Sequence, residues 1–98
     1  MNIYKVTRKS LLDYDTYSSF VCFANNEEEA KNIKPSFVNV YDKNFSKRSL
    51  FIDWDKLDNL DTWVKRTWVQ NKDDLTVIKL GTSDFSQVGV ILASFHAG

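Results

Sequence analysis

Gly89-Val90-Ile91-Leu92-Ala93-Ser94-Phe95-His96-Ala97-Gly98 is the most apolar run of the chain, and whether it is a strand or a loose end decides the fold. Loosely held ends are usually polar. The β-branched Val90 and Ile91 together with Phe95 favour extended backbone, so a buried strand is expected over 88–95. Its apolar residues fall on both alternating sets, which implies cover on both faces. One face would meet a helix; the other would meet the middle of the chain or a second copy of it.

Working outward, Leu75 to Leu80 reads as a strand and Gly81 to Asp84 as the turn or loop that precedes the closing run. At the other end, Ile3 to Arg8 alternates polar with apolar residues, and Tyr17 to Ala24 is rich in aromatic and β-branched residues. A polar connection over 9–15 joins them, so they are expected to pair as an antiparallel hairpin. Asn26 followed three residues later by Glu29 is a helix-start pattern, with three glutamates suited to the positive end of the helix dipole. Ala30 and Ile33 would face the sheet, and Pro35 would end the helix.

The middle, 36–70, has weaker signals. Phe37 to Tyr41 and Leu50 to Trp54 are strand-like and suggest a second hairpin around the basic loop Lys43 to Arg48. Leu57, Leu60, Trp63, Val64 and Trp68 recur at three- and four-residue steps, which suggests an amphipathic helix over 55–65. The whole predicts a single α+β domain over 1–98: an antiparallel sheet of four or five strands with two short helices packed on it.

Composition removes several functions. Thirteen basic and thirteen acidic residues cancel, so there is no overall field to draw in a phosphate backbone or to imitate one. Nucleic acid is an unfavoured partner for that reason. No apolar stretch reaches the roughly 18 residues that suggest a membrane span. A single cysteine, Cys22, excludes an internal disulfide and agrees with a reducing, cytoplasmic setting. No glycine loop fits a phosphate-binding fingerprint and no serine elbow occurs. The sequence specifies no catalytic residue, metal or cofactor.

Three stretches carry a family resemblance: Ile3-Tyr4-Lys5-Val6-Thr7-Arg8; Tyr14 to Val21 leading into Asn26-Glu27-Glu28-Glu29-Ala30; and Leu80 to Asp84 with the Gly89 to Gly98 run. Together they cover about half the chain. In them the chain resembles a family of short uncharacterised proteins of phages and bacterial genomes, which usually carries Asn where this chain has His96. The resemblance implies a small accessory protein of a phage or prophage, working in the host cytoplasm on host machinery or host defence. It implies no catalytic residue.

The candidate binding residues are Trp63, Lys65, Arg66 and Trp68, with Trp54 nearby, and Tyr14, Tyr17 and Arg8. Tryptophan offers large apolar area with a donor N–H, and Arg66 can grip a carboxylate or phosphate. The plainer reading puts one or both of Trp63 and Trp68 in the core. Tyr14 and Tyr17 could flank a base or side chain, but turn chemistry explains that stretch as well. Asp13 and Asp15 are too few for a hard-cation site. His96 reads as an end-of-sheet residue, and Cys22 as a small buried hydrophobe.

Three functions follow as expectations, the least favoured being a nucleic-acid-binding module, which predicts steeply salt-dependent affinity. The first is an accessory protein that inhibits or redirects a host protein through the middle segment. The second is a small-molecule binder that sequesters a nucleotide signal between subunits of a homo-oligomer, with stacking rings and Arg66, Lys65 or Arg8 on its phosphates.

Overall fold

The computed structural model describes residues 1–10, 14–56 and 62–97, apart from the side chains of Ser49, Thr62, Trp63 and Lys65. Four strands, β1 (Asn2–Arg8), β2 (Thr16–Ala24), β3 (Leu75–Thr82) and β4 (Gly89–His96), form one sheet in the order β3-β1-β2-β4. Every neighbouring pair is antiparallel. Helix α1 spans Glu27–Asn32 and helix α2 spans Thr62–Thr67. The α+β architecture is therefore as the sequence implies.

The period of two along each strand sorts the side chains into faces. Val77, Val6, Phe20 and Ala93 are cross-strand partners in one row, and Val6 and Phe20 are fully enclosed. Tyr4 and Cys22 form the next pair on that face. Ala30 and Ile33 after the α1 start, Leu50 and Ile52, and Val64, Trp68 and Val69 around α2 belong to the same buried cluster. Both helices and the central core thus lie on one side of the sheet.

On the opposite face, Ile78, Lys5, Val21 and Leu92 make a second row, and Thr76, Thr7, Ser19 and Ser94 a third. Here the expectation for the closing strand needs correction: β4 is an edge strand whose outer face is open at Leu92, which is 58% exposed. The residues expected as its second layer pack mainly on the core side. Among the described residues, the end near Phe23 is covered on the other face, by Phe85 at 4.8 Å and Tyr41 at 6.3 Å between ring centroids.

Helix α1 forms for the reason its sequence gives. The Glu29 backbone N–H donates to Asn26 Oδ1 at 2.8 Å, and Glu29 Oε1 accepts from the Asn25 backbone N–H at 2.8 Å. These two bonds satisfy donors that the first turn leaves without helical partners. Ala30 and Ile33 are buried as expected, and the chain is already extended at Ile33, two residues before Pro35.

The second hairpin does not form. Val38 N–H donates to Ser36 Oγ at 3.0 Å, Tyr41 N–H to Asn39 Oδ1 at 2.9 Å, and Asn44 N–H to Asp42 Oδ1 at 2.8 Å. Short polar side chains have taken donors that a strand ladder requires, and the segment turns instead. One ladder-like bond remains, from Val40 N–H to the Val90 carbonyl at 2.9 Å. Leu50 to Trp54 is likewise no strand. Phe51 makes an isolated bridge with Ile33, flanked by bonds from Lys34 N–H to the Leu50 carbonyl at 2.8 Å and from Ile52 N–H to the Asn32 carbonyl at 2.7 Å. Of the helix expected over 55–65, the described residues show a 3-10 turn at its start and α2 at its end. Trp54–Lys56 is a single 3-10 turn, 57–61 lie outside the described residues, and α2 runs on to Thr67.

Candidate functional site

The segment after Pro35 crosses the edge of the sheet at β4 and presents two aromatic rings, each seated on one side only. Phe37 packs against Tyr17 at 5.4 Å and Phe95 at 5.5 Å, yet it is 65% exposed. Tyr41 rests on Phe85 at 5.1 Å and is 64% exposed. Tyr17 itself is buried and meets Phe95 edge-on at 4.9 Å. Burial pushes its phenol up from the ordinary tyrosine range, and a backbone hydrogen bond with Phe37 opposes that shift. The turns at Ser36 and Asn39 aim these rings outward, and their seats restrict them in advance. A restricted ring loses little further conformational entropy when a partner covers it.

Beside the rings lies a cleft of about 190 Å³ with an apolar lining of Val38, Phe45, Leu50 and Val90. Lys34, Ser36, Asn44 and Ser46 supply its polar lining. Ser46 Oγ accepts the Arg48 N–H at 3.3 Å and caps the 3-10 turn Lys47–Ser49. Lys43, Lys47 and Arg48 flank the cleft in sequence and are exposed. Among the described residues none of the three is in an ion pair. A second hollow, of about 400 Å³, is lined by Phe51, Asp53, Trp54, Asp55 and Lys72 among others. Its charges are mixed, and Lys72 already holds Glu28 at 2.8 Å.

The residues singled out from sequence are scattered. Trp68 lies in the core against Phe20, with ring centroids 5.6 Å apart. Trp54 donates its Nε1–H to Asn32 Oδ1 at 3.0 Å, which ties the chain after Phe51 to the end of α1. Arg66 is exposed on α2, and the Trp63 and Lys65 side chains lie outside the described residues. Arg8 donates from Nε and Nη2 to Ser10 Oγ, both at 3.1 Å, and from Nη1 to the Tyr17 carbonyl at 3.5 Å. Tyr14 stacks on His96 at 5.1 Å, while Tyr17 turns into the core, so the two tyrosines do not form a clamp. Asp13 is outside the described residues. Sequence reading missed Phe37 and Tyr41 because aromatic residues beside Val38 and Val40 look like a strand. The available signal was the Ser36, Asn39 and Asp42 spacing, which favours turns.

Cys22 is buried under the sheet, and its thiol is pushed up to about 12, first by burial and then by the nearby Glu29 carboxylate. The neutral thiol is thus favoured in the fold. Stability from this group is complete below the ordinary thiol range and is lost as pH rises from about 9 toward about 12. A thiol reagent at pH 8 should leave native protein unlabelled and react only after denaturation. Prompt labelling of native protein would show an accessible thiolate.

Among the described residues no three His, Cys, Asp or Glu side chains gather as a metal site would need. No described helix is long and apolar enough to cross a membrane. Set against known protein families, curated proteins and solved structures, the chain finds no match.

Proposed function

We propose that the chain is a cofactor-free binding protein of the phage-accessory kind its ends resemble. It docks the 36–48 segment onto a host protein in the host cytoplasm and inhibits or redirects it, a defence component being the favoured class of target. One observation carries the reading: Phe37 and Tyr41 stand about two-thirds exposed while each is seated against buried or half-buried rings. Large apolar rings held in place at a solvent boundary are the residues on which interface energy concentrates.

The nucleotide-sequestering alternative has less support. Arg8 is occupied, Tyr17 is buried, the cleft at about 190 Å³ is smaller than the roughly 300 to 1,000 Å³ of pockets that enclose drug-sized ligands, and the hollow of about 400 Å³ carries Asp53 and Asp55, which repel phosphate. A homo-oligomer belongs to that alternative, and light scattering on the purified chain measures it.

The test is capture from host lysate on immobilised protein. The double variant Phe37→Ser, Tyr41→Ser should lose a specifically captured protein by about 30-fold or more, in line with hot spots worth at least about 2 kcal/mol. Ile78→Ser with Leu80→Ser, on the open sheet face, is the matched control and should capture normally. Equal capture by the ring variant would remove this surface from the account.

A further inference from the structure

The cleft beside the two rings has a charge asymmetry that the docking reading does not use. Between 34 and 50 the chain carries Lys34, Lys43, Lys47 and Arg48 against Asp42 alone, four cations to one anion, although the whole molecule is neutral. Asp42 turns its Oδ1 onto the Asn44 N–H at 2.8 Å. Among the described residues no carboxylate lines the cleft, and Lys43, Lys47 and Arg48 have no acidic partner. The other hollow does contain aspartates, Asp53 and Asp55. Lys43 and Lys47 directly bracket the lining residues Asn44 to Ser46 in sequence, so the cationic excess is carried on the segment that lines the cleft.

We infer that this cleft takes an acidic peptide segment of the protein partner. An apolar side chain of that segment enters between Val38, Phe45, Leu50 and Val90, and flanking carboxylates meet Lys43, Lys47 and Arg48. The inference rests on the reading of the chain as a protein binder, and it adds the chemistry of what is bound. Size supports a single side chain as the occupant, since about 190 Å³ is too little for a nucleotide. Fixed geometry supports it too. Ser46 caps the Lys47–Ser49 turn, and the Asn39 and Asp42 side chains hold their own turns, so the cations are carried on an ordered loop. Carboxylates beside an apolar anchor complement such a basic loop and speed encounter as well as tightening the complex.

The test titrates the isotopically labelled full chain with a defined probe, the acetylated peptide Glu-Leu-Glu-Asp-Leu-Glu, and follows backbone amide shifts. The same peptide with lysine at every acidic position, inorganic phosphate and a short oligothymidylate are the comparison probes. Saturable shifts confined to Val38, Asn44, Phe45, Ser46 and Leu50 are expected with the acidic peptide alone. Added salt should weaken them, and Lys43→Glu, Lys47→Glu, Arg48→Glu together should reduce affinity at least about tenfold. No shifts, shifts elsewhere, or equal response to the lysine peptide would overturn the inference. Tighter binding of phosphate or the oligonucleotide would overturn it in favour of a phosphate-bearing ligand. If the charge-reversed chain still captures its host protein while the Phe37→Ser, Tyr41→Ser chain does not, the acidic segment is refuted and the docking reading survives. If neither change affects capture, both fall.

Discussion

Replacing Trp68 with alanine is expected to destabilise the fold by about 3 to 5 kcal/mol, a large share of what a domain of this size possesses. Trp68 is only 3% exposed and packs on Phe20, the largest fully buried side chain of the sheet. Removing the indole leaves a hole bordered by neighbours held on two different elements. Its Nε1–H is buried with no acceptor among the described residues, and an unmet donor of that kind costs about 1 to 3 kcal/mol. Trp68→Phe removes the unmet donor and keeps much of the ring, so its loss should be less than half that of alanine. Urea unfolding of the two variants checks both numbers. An alanine variant within about 1 kcal/mol of the parent would mean that Trp68 is not a core residue.

The second large effect belongs to Gly89, where β4 begins. Its φ is +153°, a region that side chains rarely adopt, and a Cβ there would run into Val40 Cγ1 and lie 3.1 Å from a Phe45 ring carbon. Backbone strain of about 1 to 3 kcal/mol adds to overpacking of similar size. Gly89→Ala should therefore cost about 2 to 5 kcal/mol. The clash falls on the residue whose N–H bonds the Val90 carbonyl, so the variant should also loosen the segment that carries Phe37 and Tyr41. Val40→Ala in the same chain makes room and should recover part of the loss, leaving the φ penalty behind. A double-mutant cycle with no coupling would contradict the close approach.

These two residues mark how far the sequence could be read. The sheet was legible because β1, β2 and β3 alternate and carry strand-forming residues, and α1 because Asn26 and Glu29 announce its start. Strand β4 was legible as a strand but not as an edge. Its two apolar faces implied two layers, whereas Leu92 remains open to solvent. The middle was misread for a local reason: Ser36, Asn39 and Asp42 spend their side chains on neighbouring N–H groups, and period-based reading does not see that competition. Trp68 takes the core place that the plainer reading of the tryptophans gave it, and the exposed rings are ones that looked like strand. The close approach at Gly89 depends on contact between residues 40 and 89, which no local pattern encodes.

Amide hydrogen exchange of the chain alone and with its captured host protein tests the central claim most directly, because it maps the covered surface without a substitution. Docking through the 36–48 segment predicts slowed exchange from Phe37 through Arg48, with the open sheet face around Ile78, Leu80 and Leu92 unchanged. Protection on that open face, with 36–48 exchanging as in the free chain, would contradict it.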